Sequence, residues 1–135
     1  MRLHHIALSS RSRENANRFY KDILKLNEIK SSRMTNDLSR DIFGVDLECE
    51  LILYGNDDLA IEVFVTERIS PRGPSVAHIC LQVEDREVFL ETCQAAGLRV
   101  RLIPRGEWKI CFVEDFDGNL FEIKQETPGG SALQR

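Results

Sequence analysis

This sequence lacks three features that mark specialised classes of protein. Its four cysteines form no C-x-x-C pair, and no stretch is apolar enough for a signal-peptide core or a membrane span. The formal net charge is -4, so there is no excess of cationic side chains to bind nucleic acid. We therefore expect a cytoplasmic protein with reduced, mostly buried thiols and a small-molecule substrate, with neither nucleic acid nor membrane as a partner.

What the sequence does contain is typical of an ordinary globular chain. Of its 135 residues, 42% are hydrophobic and 30% are charged. This size supports one compact domain, or two half-sized units that share one sheet. We expect a single domain over residues 1–125 and a flexible tail over residues 126–135, where there is little apolar content.

Hydrophobic patterning predicts a β-α-β-β-β order for the first half of the chain. Residues 3–8 alternate as a strand, and residues 14–24 place apolar side chains on one helical stripe. A polar segment follows at residues 31–41. Two more strands are predicted at residues 47–54 and 59–65, joined by a Gly-Asn-Asp-Asp turn. The strand directly after the helix is the most weakly marked.

A break then separates the two halves. Residues 70–74 hold two prolines and a glycine, which makes them the best candidate linker. Beyond them the order starts again, with a helix closed by Gly97. The predicted elements are a strand at 76–83, a helix at 86–96 and strands at 98–103, 109–114 and 120–125. The chain is therefore predicted to be an α+β protein made of two copies of one unit.

Each copy carries a histidine and a glutamate at matching positions. His5 begins the sequence H-I-A-L and His78 begins H-I-C-L, while Glu62 and Glu122 lie in the last strand of each copy. Strand alternation sets these side chains among apolar neighbours, where a charge is costly unless it is paired or bound to metal. Two imidazoles and two carboxylates suit a divalent cation. Inward-facing salt bridges, or side chains exposed to solvent, are the alternatives.

The motifs of both copies resemble those of the vicinal oxygen chelate superfamily, also called the glyoxalase/bleomycin resistance/dioxygenase superfamily. They are HHIAL at 4–8, AIEVF at 60–64, AHICLQV at 77–83 and FVEDFDGNLFEI at 112–123. In the last motif, Phe116 replaces the proline of the family's common D-P-D-G turn. The resemblance implies two βαβββ modules, residues 1–69 and 75–125, whose curved mixed sheets form around a metal-binding cavity, often in a homodimer.

The order His, Glu, His, Glu is similar to that of glyoxalase I members. The implied metal ligands are His5, Glu62, His78 and Glu122. One divalent ion per site (nickel, zinc or cobalt) would chelate two neighbouring substrate oxygens. Glu122 as general base, with Glu62 as its partner, would then transfer a proton through an enediolate-like intermediate. The implied activity is that of a metal-dependent lyase or isomerase.

Two positions depart from glyoxalase I and change the expected substrate. Members of that group place an arginine four residues after the first histidine and an asparagine four after the first glutamate, and both bind glutathione. Here Ser9 and Thr66 occupy these positions, without arginine's bidentate donors. We therefore expect Ser9 and Thr66 to bind a substrate other than the standard glutathione adduct. Arg11 and Arg13 could reach an acidic substrate instead, or simply lie in solvent at the start of a helix.

A loop at residues 104–108 is the other candidate for substrate binding. We expect Arg105 and Trp108 to cover the mouth of the cavity and help to select the substrate. The alternative is an ordinary hairpin with Trp108 packed on a neighbouring strand. Cys80, two residues after His78, is expected to line the site without binding the metal.

Two other functions are compatible with the same fold. One is a ligand- or drug-binding resistance protein, a class that usually lacks the metal ligands. The other is a different reaction on this scaffold, either thiol transfer to an epoxide antibiotic or ring-opening dioxygenation on iron. Both of these reactions are associated with two histidines and one carboxylate, so Glu62 would be surplus.

Overall fold

The structure is a computed structural model that describes residues 1–68 and 76–129. The chain divides into two compact units, Met1–Pro71 and Arg72–Arg135, which we call unit 1 and unit 2. The predicted linker at residues 70–74 and the end of the predicted tail lie outside the described residues. Over the described ranges, no helix is long and apolar enough to cross a membrane.

Unit 1 is a four-stranded mixed sheet with helical segments. In chain order its elements are β1 (Ile6–Ser10), α1 (Arg13–Ala16), a π-helical segment (Asn17–Ile23), β2 (Asn27–Met34), α2 (Asn36–Phe43), β3 (Cys49–Gly55) and β4 (Ala60–Val65). The strand order is β1-β4-β3-β2, with β1 parallel to β4 and the other neighbours antiparallel. The predicted first helix is therefore present, although most of it is π-helical.

The first helix buries one face of this sheet. The hydroxyl of Ser12 caps α1 by accepting a hydrogen bond from the N–H of Asn15 at 3.0 Å. Phe19 and Tyr20 in the π-helical segment are almost fully buried, and Tyr20 stacks on Tyr54 of β3 with 5.6 Å between ring centroids. Burial of these large side chains makes the helix-covered face the core of unit 1.

Helix α2 corrects the prediction for residues 31–41, which were assigned only as a polar segment. Residues 31–34 complete β2 and pair with β3. Thr35 then caps α2 through its side chain, and Gly44 ends the helix with a φ of 71°. The buried hydroxyl of Ser39 bonds to main-chain groups on both sides of the helix end. Polar contacts therefore fix the ends of this helix, and Phe43 near its end packs edge-to-face on Phe64 of β4.

Unit 2 repeats the same sheet. Its elements are β5 (Ile79–Val83), α3 (Arg86–Ala95), β6 (Val100–Arg105), β7 (Trp108–Glu114) and β8 (Leu120–Gln125). The strand order is β5-β8-β7-β6, with β5 parallel to β8, and over residues 76–129 there is no counterpart of α2. Each unit has its own sheet instead of sharing one. The predicted α+β fold of two βαβββ modules is confirmed.

The turns of unit 2 follow signals that are visible in the sequence. Asp85 caps α3 by accepting a hydrogen bond from the N–H of Val88 at 3.0 Å. Gly97 follows the helix with a φ of 83°, a left-handed conformation that glycine adopts readily. The carboxylate of Asp115 accepts a hydrogen bond from the N–H of Asn119 at 2.8 Å, which closes the predicted turn before β8.

Two predictions about local structure are wrong, and for a third the alternative, a hairpin, is observed. Strand β5 begins one residue after His78, and β1 begins one residue after His5, so both histidines directly precede their strands. The predicted loop between β6 and β7 is a tight hairpin in which Arg105 pairs with Trp108. Cys80 is exposed because it lies on the sheet face that the helix does not cover, whereas the other three cysteines are buried as expected.

Candidate metal centre

In unit 1, His5 and Glu62 lie side by side on one face of the sheet. Glu62 is the partner of Ala7 in the parallel β1–β4 ladder, and alternation places His5 on the same face as Ala7. The Nε2 atom of His5 is 3.8 Å from Oε1 of Glu62. Their side chains are 36% and 24% exposed, so a ligand can reach both.

Unit 2 brings His78 and Glu122 together in the same way. Glu122 is the partner of Cys80 in the parallel β5–β8 ladder, two residues beyond His78. The Nε2 atom of His78 is 3.3 Å from Oε2 of Glu122, and the side chains are 34% and 18% exposed. Each histidine predicted from the repeat therefore lies beside the glutamate predicted from the same copy.

A main-chain hydrogen bond orients the ring of His78. Its Nδ1 lies 2.7 Å from the carbonyl oxygen of Val76, and because a carbonyl only accepts, Nδ1 carries a hydrogen and donates it. In the neutral ring, Nε2 is then an acceptor, and it faces a second acceptor, the Glu122 carboxylate. Two acceptors at this distance repel unless a cation or a proton accompanies them. Metal-ligating histidines have this arrangement, in which the other nitrogen bonds to a carbonyl.

The donor atoms of each pair, an imidazole nitrogen and a carboxylate oxygen, are of a kind that a divalent cation accepts. Nδ1 of His5 lies 2.8 Å from Nδ1 of His4, so one ring donates to the other. Imidazole nitrogens and carboxylate oxygens are ligands that zinc, nickel, cobalt and manganese accept. Over the described residues, no group of three or more His, Cys, Asp or Glu side chains is brought together as a metal site. The structure therefore shows the four predicted ligands as two His–Glu pairs, one in each unit.

Two side chains next to the unit 2 pair were not predicted. Phe112 is the partner of Glu122 in the β7–β8 ladder, and its ring is edge-on to His78 with centroids 5.3 Å apart. Nζ of Lys124 lies 3.7 Å from Oε1 of Glu122. Alternation along β8 puts Glu122 and Lys124 on one face, and this signal could have identified the lysine. Phe112 depends on cross-strand register, which the sequence does not determine.

Ser9 and Thr66 line a cavity next to the unit 1 pair. The volume of this cavity, which we call the unit 1 cavity, is about 260 Å³. Phe43 of α2 and Phe64 of β4 form part of its wall, with their rings edge-to-face and 5.7 Å apart. A second cavity, of about 410 Å³, is lined by His5 and nearby residues. The two predicted substrate-binding residues of unit 1 therefore share one recess.

Arg105 and Trp108 lie at the hairpin end of the unit 2 sheet. Trp108 is 65% exposed, so it does not pack closely on a neighbouring strand within its unit. It precedes Phe112 by four residues on β7, hence on the same face but about 13 Å away along the strand. Arg105 donates a hydrogen bond to a neighbouring main-chain carbonyl at 2.9 Å. Within unit 2, both side chains are therefore distant from His78, whose ring contacts Phe112.

The charge of Arg13 is neutralised inside unit 1. Its guanidinium donates to Glu28 at 2.9 and 3.1 Å and to Glu50 at 2.8 Å. These hydrogen bonds lower the pKa of both carboxyl groups and raise the pKa of Arg13. Arg13 is thus committed to two glutamates and is not available to an acidic substrate, contrary to one of the two hypotheses drawn from the sequence.

Comparison with known proteins identifies a family for the chain. The model of the Glyoxalase/Bleomycin resistance protein/Dioxygenase superfamily matches residues 2–123. This range includes all four predicted ligands. No curated protein matches the sequence.

Several solved structures share the fold. One is a mutant of the fosfomycin resistance protein FosX from Listeria monocytogenes, complexed with Mn(II) and 1S,2S-dihydroxypropylphosphonic acid. It is 24% identical to this chain, the match covers 93% of this chain and 92% of that chain, and the TM-score is 0.69. FosX from Mesorhizobium loti is 20% identical, with 93% and 91% covered and a TM-score of 0.66. A glyoxalase family protein from Enterococcus faecalis is 16% identical, with 90% and 95% covered and a TM-score of 0.69. At these identities the similarity establishes the fold alone.

Proposed function

Since the chain belongs to the Glyoxalase/Bleomycin resistance protein/Dioxygenase superfamily, we propose that it is a metal-dependent enzyme that binds a small substrate through two neighbouring oxygen atoms. The proposed reaction is a lyase or isomerase step of glyoxalase type, in which a carboxylate moves a proton. The observation that carries the proposal is the orientation of His78. Its Nδ1 donates to a carbonyl while its Nε2 faces a carboxylate oxygen at 3.3 Å, as in a metal-ligating histidine.

The proposed ligands are His5, Glu62, His78 and Glu122. Four protein ligands would fill a tetrahedral zinc site, so binding of substrate requires five or six coordination positions. Nickel, cobalt and zinc suit this set, and manganese joins them by analogy with the Mn(II) complex of Listeria FosX. When bound, such an ion would polarise the two substrate oxygens and stabilise the negative charge that develops on them.

The chain's own side chains would hold and move the proton. Glu122 is the proposed general base, and Glu62 is the proposed partner that returns the proton or only holds the metal. Lys124, with Nζ 3.7 Å from Oε1 of Glu122, would orient that carboxylate. Phe112, edge-on to the ring of His78, would shield the unit 2 pair from water on one side.

The proposed substrate is not the standard glutathione adduct. Ser9 and Thr66 offer hydroxyl groups where glyoxalase I members offer arginine and asparagine, and a hydroxyl cannot form a bidentate pair with a carboxylate. Arg105 and Trp108 are proposed contacts only for a substrate that extends along β7, because they lie about 13 Å from Phe112 along the strand.

The function can be tested by assaying turnover of hemithioacetals. Protein loaded separately with nickel, cobalt, zinc or manganese would be given adducts of methylglyoxal with glutathione and with simpler thiols. We expect turnover of a simple-thiol adduct, its loss in Glu122→Gln, and its retention in Glu114→Gln, a half-buried glutamate ion-paired with Arg101. Absence of turnover with every metal, or equal activity of the two variants, would overturn the proposal.

A second candidate is ring opening of an epoxide antibiotic such as fosfomycin, by a thiol or by water. It is favoured by the similarity to fosfomycin resistance proteins, one of which is complexed with a phosphonate whose two neighbouring hydroxyl groups correspond to addition of water to the epoxide. Because this chemistry is associated with two histidines and one carboxylate, Glu62→Gln separates the candidates. Loss of metal affinity in this variant supports the four-ligand lyase. Unchanged metal affinity together with consumption of fosfomycin, followed by phosphorus NMR, supports the second candidate.

The proposed assembly is a homodimer, as in related proteins with two modules. Sedimentation velocity at micromolar concentration is expected to give a species of twice the chain mass of 15.5 kDa. A monomer at that concentration would contradict this proposal without affecting the proposed chemistry. The cytoplasmic location stays a prediction from the sequence.

A further inference from the structure

We infer that the unit 1 cavity binds a small organic anion with an apolar chain, and this inference rests on the proposed function because it assigns the part of the substrate remote from the metal. The cavity has a volume of about 260 Å³. This is just below the roughly 300–1,000 Å³ that is usual for sites of drug-sized ligands, so it suits a short chain better than a bulky cofactor.

The wall of the cavity is mostly apolar, and one side of it is contributed by Phe43 of α2 and by Val45 and Leu47 in the segment after it. Phe43 and Val45 line the cavity and are 51% and 50% exposed, while Phe64 below them is 9% exposed. Exposed apolar surface of this kind is stabilised when a hydrocarbon group covers it. Since unit 2 has no counterpart of α2 over residues 76–129, this wall is a specific addition to unit 1.

One end of the cavity is cationic. The guanidinium of Arg68 lines it and is held by a hydrogen bond to the main-chain oxygen of Asp46 at 2.6 Å. Among the residues that the structure describes, no carboxylate lies within ion-pair distance of Arg68, in contrast to Arg13. Thr66 adds a hydroxyl, which accepts a hydrogen bond from the N–H of Arg68 at 3.1 Å. A guanidinium beside a hydroxyl at the end of an apolar recess is complementary to a carboxylate or phosphonate.

The strand geometry places this anion site at a definite distance from the ligand pair. Phe64 is two residues beyond Glu62 on β4 and Thr66 is four residues beyond it, which corresponds to about 7 Å and about 13 Å along the strand. An anion bound at Arg68 would therefore be separated from the His5–Glu62 pair by the length of the aromatic wall. The inferred substrate carries its neighbouring oxygens at one end, an apolar chain in the middle and an anion at the other end.

Binding of hexanoate to the metal-free protein tests the inference, with hexanamide as the neutral probe of the same shape. Titrations followed by NMR would compare the wild type with Arg68→Gln and Phe43→Ala. Hexanoate is expected to bind the wild type, about tenfold more weakly to Arg68→Gln and severalfold more weakly to Phe43→Ala. Hexanamide is expected to bind the wild type and Arg68→Gln equally. Matched controls are Arg33→Gln and Ile42→Ala, exposed residues outside the cavity that should leave binding within about twofold.

The titrations use metal-free protein. Failure of the anion subsite can therefore be distinguished from failure of the proposed metal-dependent function. No hexanoate binding, equal binding of hexanoate and hexanamide, or an unaffected Arg68→Gln variant would overturn the anion subsite. Hexanoate binding as expected in a protein that fails to bind any divalent metal would leave the subsite standing and overturn only the metal-dependent function.

Discussion

Units 1 and 2 share a strand order and a ligand pair but differ in what surrounds that pair. In both, a histidine directly precedes the first strand and a glutamate lies in the parallel last strand. The connection between the second and third strands differs. In unit 1 it contains α2 and builds the unit 1 cavity, whereas in unit 2 it is a tight hairpin. Unit 2 instead adds Phe112 and Lys124 next to its pair. In the proposed function, the repeated part would hold the metal and the parts that differ between the units would select the substrate.

The largest effect is expected when a buried side chain is shortened in the core of either unit. This tests whether the two cores contribute equally to stability. Ile61 and Phe121 occupy matching places, each opposite the first residue of the parallel first strand, and both are 0% exposed. Replacing either by alanine is expected to lower the free energy of unfolding by about 2–5 kcal/mol, measured by urea denaturation. Leu102→Ala, at a residue that is 47% exposed, is a control with a much smaller cost. A loss below about 1 kcal/mol in one core variant alone would break the equivalence of the two units.

The next largest effect is expected on metal affinity when one histidine of a His–Glu pair is removed. If both pairs serve one ion, His5→Ala and His78→Ala should each weaken binding of nickel or zinc by at least about a hundredfold, since each variant removes a ligand. Isothermal titration calorimetry would measure the affinities, with Glu114→Gln as the control that keeps its metal. A variant of one histidine with wild-type affinity would mean that only the other unit binds metal.

The order of strands and helices in the two units could be predicted from the sequence, because it depends on local signals. The H-I-A-L and H-I-C-L repeat, the Gly97 helix end and the turn at Asp115 gave the module order and the four candidate ligands. Helix α2 was missed because its apolar stripe is short, with only Leu38, Ile42 and Phe43 in a segment that is otherwise polar. The first strand of each unit, β1 and β5, also begins three residues later than its alternation suggests.

Ion pairs between residues that are far apart in the chain could not be predicted from the sequence, as the partners of Arg13 show. Glu28 and Glu50 lie 15 and 37 residues away in the chain, and only the pairing of β2 with β3 brings them together. The sequence therefore suggested that Arg13, at the start of a helix, lies in solvent or faces the substrate. In the structure its guanidinium forms ion pairs within unit 1. Unit 1 carries Arg68 at its cavity, and the sequence alone did not distinguish this arginine from those with carboxylate partners.

The Arg13 cluster predicts a pH dependence confined to unit 1. Arg13 lowers the pKa of Glu28 and Glu50 in the folded state, so their contribution to stability is present above the ordinary glutamate pKa and is lost as the pH falls through the lowered values. Arg13→Met should cost about 1 kcal/mol near neutral pH, because the groups are partly exposed, and the difference from wild type should shrink by about pH 3. Urea denaturation at both pH values measures this. A difference that grows on acidification would contradict this prediction, and Arg99→Met, at an exposed ion pair of unit 2, is the matched control.

The smallest expected effect compares the helix caps of the two units. Thr35→Ala at α2 and Asp85→Ala at α3 each remove a side chain that accepts a main-chain hydrogen bond. Each is expected to cost about 1 kcal/mol. Because α2 contributes Phe43 to the cavity wall, Thr35→Ala should also weaken hexanoate binding, whereas Asp85→Ala should not. Equal binding by the two variants would show that the cavity does not depend on an intact α2.

Elemental analysis of untagged wild-type protein tests whether the two His–Glu pairs hold a metal. We expect about one divalent ion per chain, either as purified or after incubation with nickel, zinc, cobalt or manganese and removal of the excess. A protein that stays metal-free after exposure to all four ions would contradict the account and indicate a ligand-binding member of the same superfamily.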